Sequence, residues 1–228
     1  MRVARKAMVI KMKKEENNIT ELVLILDRSG LMSGLESDTV GGFNSLIEKQ
    51  KKQSGKCFVS TVLFDNESTV LHDRLALCDV PKMTENDYCV RGSTALIDAI
   101  GLAVRHIENI HKYARREDVP QHTVFAVITD GEENSSHIYS RDTVKAMIKN
   151  KKQNDGWEFL FIGANIDAVE AAENLGIEGE NAVNYHADEQ GTKTVFESLS
   201  ETFKEFRECM PIPPDWNKKI EKDFNCRE

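Results

Sequence analysis

Asp27 and Ser29 follow the apolar run Leu22-Val23-Leu24-Ile25-Leu26, and Asp130 follows a second such run, Val124-Phe125-Ala126-Val127-Ile128, through Thr129. Two buried-type strands that both end in aspartate can bring their carboxylates to one edge of a sheet. Between them, Gly92-Ser93-Thr94-Ala95-Leu96 is a small-residue turn opening an apolar-periodic helix, which can deliver a hydroxyl to the same edge. The set Asp27, Ser29, Thr94 and Asp130 therefore offers oxygen only: two carboxylates and two neutral hydroxyls. Mg2+ demands near-octahedral oxygen geometry and keeps several of its waters, so a few protein oxygens suffice to hold it. Hydroxyls bind such an ion without cancelling its charge. With Asp27 and Asp130 acting through bound water, the ion (Mg2+, or Mn2+ or Ca2+) stays electrophilic towards a carboxylate arriving from a partner. Three or four direct carboxylates would instead suggest a metal that activates water for hydrolysis or phosphoryl transfer, and the hydroxyl-rich set argues against that.

The three segments resemble the metal-ion-dependent adhesion site (MIDAS) of von Willebrand factor type A domains, whose pattern is Asp-x-Ser-x-Ser, a distal threonine and a distal Thr-Asp-Gly aspartate. The resemblance covers roughly Thr20 to Arg207. It implies a Rossmann-like sheet, a divalent ion and a protein partner that presents an acidic residue, and free-standing domains of bacterial or phage type are similar. One position departs from the pattern: Leu31 stands where the second serine should supply a direct ligand. Three outcomes are open. Water replaces the hydroxyl and binding weakens, or Ser33 is recruited by a shifted loop, or the site is empty. As an ordinary residue, Ser33 would be a turn or N-cap position ahead of the next helix.

The elements that must position these residues take turns along the chain. Glu21 to Asp27 reads as a buried strand and Asp38 to Lys52 as a helix with Val40, Phe43, Leu46 and Ile47 at helical spacing. Lys56 to Phe64 and Ser68 to Leu77 are strand-like and joined by Asp65-Asn66-Glu67, a short hairpin turn, so one strand runs antiparallel. Then come a helix Ala95 to Tyr113, a strand Gln121 to Thr129, a helix Ser140 to Lys152 and a strand Trp157 to Ile162. A helix Asp167 to Leu175 closed by Gly176, a short strand Ala182 to Tyr185 and a helix Glu189 to Arg207 complete the pattern. Such alternation predicts an α/β, Rossmann-like, doubly wound and mostly parallel sheet with one antiparallel edge strand and helices on both faces. Ligands of such sheets sit beyond the carboxyl ends of the strands, where strand order reverses. Residues 1–19 are predicted as a tail, 20–209 as the domain, and 210–228, opening on Met210-Pro211-Ile212-Pro213-Pro214, as a second tail.

Composition narrows the function classes. The 228 residues are 40% hydrophobic and 30% charged, enough for one sizeable core. A net charge of -8 disfavours nucleic acid or an anionic membrane as the main partner; the basic clusters Lys11 to Lys14, Lys49 to Lys52 and Lys149 to Lys152 are short and flanked by acids. Five cysteines, with no C-x-x-C spacing, indicate neither a disulfide framework nor a zinc site. Cys57 and Cys78 are expected in the core, and Cys89 in the loop before Gly92. No membrane span or secretory signal is evident, so a cytoplasmic setting is expected. No phosphate-binding glycine motif follows the first strand; Gly41-Gly42 and Gly101 read instead as places of close helix packing. His106 and His111 do not share a metal-binding helix face. Glu132 and Glu133 could rim the site, but as loop acids they read as simply solvated. Two main classes remain: a non-enzymatic module that captures an acidic residue through a divalent ion, and a metal-dependent hydrolase or phosphatase using Asp27, against which Ser29 counts because such sheets carry a second aspartate there. A degenerate, metal-free scaffold is the third, and Leu31 keeps it open.

Overall fold

A computed structural model describes residues 18–208 and 211–227. Its six strands are ordered β3-β2-β1-β4-β5-β6. They span Ile19–Asp27 (β1), Lys56–Phe64 (β2), Ser68–Ala76 (β3), His122–Thr129 (β4), Glu158–Gly163 (β5) and Ala182–Asn184 (β6). β1 is buried at all nine positions, as a central strand covered on both faces must be. It pairs in parallel with β2 and β4, and parallel pairing continues through β5 to β6, whereas β3 is the antiparallel edge strand. The predicted α/β architecture is the observed one.

The pleat sends alternate residues of each strand to opposite layers. Leu22, Leu24 and Leu26 face a core shared with Phe43, Leu46, Leu199 and Phe203, contributed by helices α1 (Glu36–Lys51) and α5 (Glu189–Arg207). Val23 and Ile25 face the other core, with Ile100, Val104, Val144 and Ala172. Those residues lie on α2 (Leu96–Tyr113), α3 (Arg141–Asp155) and α4 (Ala168–Asn174). Side-chain oxygens of Ser140, Asp167 and Asp188 cap α3, α4 and α5 by accepting from backbone amides in the first turn, which relieves donors that a helix start leaves unpaired. Close helix packing at glycine holds at Gly42, where an added Cβ would meet the Phe196 ring of α5; at Gly101 it would meet Tyr139 of the loop before α3, and Gly41 faces open space, so neither of these two is a helix–helix contact.

Three expectations change. The segment predicted as a C-terminal tail carries a helix, α6 (Lys218–Asn225), and buries Trp216 and Ile220 in the α1/α5 core. The Trp216 indole N–H donates to Glu180 O at 3.0 Å. The proline-rich stretch ends one helix without ending the packed chain. Cys78 is exposed, because the chain leaves β3 after Ala76 and turns through a 3-10 segment, Leu77–Asp79; Cys57 is buried as expected. At the other end, Ile19, assigned to the tail, is buried and begins β1; residues 1–17 of that tail lie outside the described residues.

The register decides where function can reside. Leu26 of β1 stands beside Ile128 of β4, and Asp27 beside Phe64 of β2. Strand order reverses between β1 and β4, so the carboxyl ends that carry Asp27 and Asp130 flank the crevice such sheets offer to ligands.

Candidate metal centre at the carboxyl edge of the sheet

Asp27 closes β1 and is 1% exposed. One carboxylate oxygen accepts from the Ser29 amide at 2.7 Å. The other accepts from the Thr129 hydroxyl at 2.7 Å and, more weakly, from the Asp130 amide at 3.4 Å. The Tyr88 hydroxyl donates to the Asp27 carbonyl. Burial raises the Asp27 pKa, and the Thr129 and Ser29 hydrogen bonds oppose that rise only in part. Ser29 Oγ lies near enough to contribute to that opposition, yet no hydrogen bond of acceptable geometry closes on it, and the residue is 1% exposed.

Thr94 arrives from the second loop. Gly92, at φ +68°, accepts the Gly30 amide at 3.1 Å on its carbonyl. A side chain there would need the disfavoured left-handed backbone and would have to displace Asn66 Oδ1, so the position favours glycine. Helix α2 then starts at Leu96 without a capping side chain of its own. Its caps come from the loop after β4: Asn134 Oδ1 accepts from Thr94 N at 2.9 Å, Glu133 Oε2 from Ile97 N at 2.8 Å, and Ser136 Oγ from Asp98 N at 3.0 Å. Asp98 returns the contact, accepting the amides of His137, Ile138 and Tyr139. Glu133 is therefore a loop organiser and not the solvated acid expected, while Glu132 is exposed. Thr94, one residue before the N-cap Ala95, keeps its Oγ1 buried and without a partner.

Asp130, 3% exposed, completes the group. Its Oδ1 accepts from the side-chain amide of Asn165, on the loop after β5. Burial pushes its carboxyl up to about 6, with the charge of Asp27 adding to the rise and the Asn165 hydrogen bond opposing it. The register and these bonds bring Asp27, Ser29 and Asp130 to one edge, and the Gly30–Gly92 and Thr94–Asn134 contacts bring Thr94 to it. Ser33 stands apart: it is exposed at the end of the 3-10 turn Gly30–Met32, its amide bonded to Gly30 O. The helix that follows uses Leu35 at its N-cap.

Two unpartnered buried hydroxyls are the test of whether this set suits a cation. A buried hydroxyl without a partner costs on the order of 1–3 kcal/mol, and here Ser29 and Thr94 flank two carboxylates held by neutral donors alone. The donor set fits a small hard ion. Among the described residues no three of His, Cys, Asp and Glu group as ligands, so this chemistry rests on hydroxyls. Leu31 supplies no oxygen. Its side chain lies across Gly131, where an added Cβ would collide with Leu31 Cδ1 and approach Thr94 Oγ1 to 3.6 Å.

The sequence does not disclose a neighbouring ion-pair cluster. Asp65, taken as a hairpin-turn residue, is fully buried and meets the Nε of Arg28 at 2.8 Å and of Arg91 at 3.0 Å. The hydrogen bonds and charges of those arginines outweigh burial and lower its pKa. Asn165 also escapes the motif pattern; its signal is an asparagine just past a strand end, a place where left-handed backbone favours it.

No protein-family model and no curated protein matches the chain. Solved structures do. A von Willebrand factor type A protein from Catenulispora acidiphila aligns with TM-score 0.55 at 14% identity, over 81% of this chain and 42% of that one. Proximal thread matrix protein 1 of the mussel byssus, in a structure with a zinc-occupied MIDAS motif, aligns with TM-score 0.58 at 15% identity, over 83% and 47%. A D319A mutant of the PilB minor pilin from Streptococcus sanguinis gives 0.54 at 12% identity, over 85% and 63%. The chain thus spans under half the length of the first two. Among the described residues no helix is long and apolar enough to cross a membrane. At these identities the shared property is the fold, and the chain is a domain of the von Willebrand factor type A fold.

Proposed function

We propose that this domain is a non-enzymatic protein-binding module whose carboxyl edge captures an acidic residue of a partner through a divalent ion, Mg2+ or Mn2+, held by Asp27, Ser29, Thr94 and Asp130. The observation that carries the reading is the pair of buried, unpartnered hydroxyls, Ser29 Oγ and Thr94 Oγ1, beside two aspartates that receive only neutral donors. The bound ion would supply Lewis acidity towards an incoming carboxylate. The chain's own residues do the rest. Asp27 fixes the first loop through the Ser29 amide and ties it to β4 through Thr129. The loop after β4 holds Thr94 in place from outside its helix. The structure of similar fold with a zinc-occupied MIDAS motif supports the reading that a domain of this fold can hold a metal.

Among the described residues Ser29 Oγ has no hydrogen-bond partner, whereas an activated serine would need a base bonded to it, which supports the non-enzymatic reading. Unpaired Cys57, Cys78, Cys89 and Cys226 support a cytoplasmic setting within the same reading. Leu31 favours a second reading, a metal-free scaffold that binds by shape. Calorimetric titration with Mg2+ and Mn2+ separates the two. Heat of binding that disappears in Asp130→Ala supports the ion-dependent module; no binding by the parent protein at millimolar ion leaves the scaffold. Turnover of aryl phosphates lost in Asp27→Asn would replace both with a hydrolase.

A further inference from the structure

The buried aspartates at the carboxyl edge differ in what neutralises them. Asp65 is taken up by two guanidinium groups, so its charge is unavailable to a cation. Asp98 is saturated by three backbone amides that shape a loop. Asp27 receives two amides and a hydroxyl. Asp130 receives one side-chain donor, the neutral amide of Asn165, on Oδ1 alone; among the described residues no donor bonds to its Oδ2. An amide orients a carboxylate without discharging it. A lysine or arginine at the same place would orient it and remove its charge.

The backbone at residue 165 restricts which side chain can do this. Asn165 has φ +55°, and it is one of two non-glycine residues with positive φ among those described. Left-handed backbone is tolerated by glycine and, among residues with a side chain, best by asparagine and aspartate. Glycine would fit the turn without reaching Asp130, and aspartate would put a second negative charge against it. Asparagine alone of these meets the backbone demand and supplies a neutral donor. The turn itself is fixed independently, by Ala164 N donating to Thr129 O at 3.0 Å at the end of the strand that carries Asp130.

The geometry points to Asn165 as a positioning residue of the ion site: its side-chain amide pins Asp130 Oδ1 so that Oδ2, still charged, faces the ion or an ion-bound water. This inference rests on the divalent-ion reading of the site and adds a member that the motif pattern lacks. Supporting residues around metal ligands typically change affinity ten- to a hundredfold when removed.

The test compares the parent with Asn165→Gly and Asn165→Asp. Glycine keeps the left-handed turn and deletes the donor; it should weaken Mn2+ binding by calorimetry at least tenfold, beyond the fall of a few degrees in chelator melting temperature that a buried carboxylate losing its donor brings. Aspartate keeps the turn and replaces the donor with a carboxylate. It should lower the melting temperature in chelator and enlarge the rise on adding Mn2+, because the ion then relieves carboxylate repulsion. A purely structural role for Asn165 would move the chelator melting temperature and leave the Mn2+ affinity alone. Asn165→Gly binding Mn2+ within twofold of the parent overturns the inference and leaves the site reading intact. A parent that binds no Mn2+ removes both.

Discussion

Leu31→Ser is the substitution that bears hardest on the site. The leucine is 54% exposed, so the variant gives up about half of the roughly 1.5–3 kcal/mol that full burial of such a side chain contributes, a cost of about 1 kcal/mol. At about 2–4 °C per kcal/mol for a domain of this size, its melting temperature in chelator should fall by a few degrees. Against this stands a hydroxyl added at the ligand position of the Asp27-x-Ser29-x pattern. A restored contact of this kind raises affinity about ten- to a hundredfold, or about 1.4–2.7 kcal/mol. Binding adds to stability by mass action, about 2.7 kcal/mol when the free ion is a hundredfold above Kd. The ranking should therefore invert: parent more stable in chelator, variant equal or more stable in excess Mg2+. Calorimetry with Mg2+ and Mn2+ on parent, Leu31→Ser and Leu31→Ser with Asp130→Ala provides the assay, and the last protein should show no gain. Equal affinities in parent and Leu31→Ser would mean that Leu31 does not occupy a ligand position, and the carry-over of the Asp-x-Ser-x-Ser pattern to residue 31 would have to be withdrawn.

Gly131→Ala should be tolerated, since the atom its methyl meets, Leu31 Cδ1, is the tip of a half-exposed side chain that can swing aside; urea melts should place it within about 1 kcal/mol of the parent, and a larger loss that Leu31→Ala relieves would show the leucine held rigidly over the site. Asp130 has a folded-state pKa near 6, above the unfolded 3.8. The folded state thus holds its proton more tightly, and this group's contribution to ion-free stability declines as pH rises from about 4 to above 6. Melting temperatures of the parent relative to Asp130→Asn, in chelator between pH 4.5 and 7.5, should show that decline in the parent only, and Mn2+ affinity should weaken as pH falls through 6. Trp216→Ala should cost about 3–5 kcal/mol in urea melts, the range for a large buried aromatic, because Trp216 is 5% exposed and belongs to the main core; a loss under 1 kcal/mol would return the C-terminal segment to the status of a tail.

The sheet was legible because its central strands are covered on both faces, and such strands print as unbroken apolar runs that end abruptly in Asp27 and Thr129-Asp130. The hairpin between β2 and β3 and the helical spacing of Val40, Phe43, Leu46 and Ile47 were equally readable, with element ends shifted by a residue or two as frayed termini allow. What stayed hidden were long-range polar contacts. Asp65 looks like any turn acid until Arg28 and Arg91 close on it from other loops. Glu133 looks solvated, although a clue was present: Ala95 cannot cap the helix that starts after it, so some other chain segment had to. Asn165 carries no motif, since its role comes from a backbone angle. The last helix was hidden by its shortness and by the proline-rich stretch before it, although Ile220 and Phe224 stand four residues apart, at helical spacing, and Trp216 and Ile220 anchor the segment in the core.

Helix α2 takes its caps from a loop that follows another strand, because Ala95 at its N-cap has no side-chain oxygen to offer. A threonine in that cap position would turn its oxygen inward to the first amides, where it is structurally useful and chemically silent; Thr94 stands one residue earlier. Here Asn134, Glu133 and Ser136 perform that service across the crevice, and the Thr94 hydroxyl is left idle in the folded chain. The consequence is a division of labour between loops: the segment after β4 guards the integrity of the helix, so the turn before the helix is free to specialise. Drift in Glu133 or Ser136 would therefore blunt the site without touching any of its four candidate ligands.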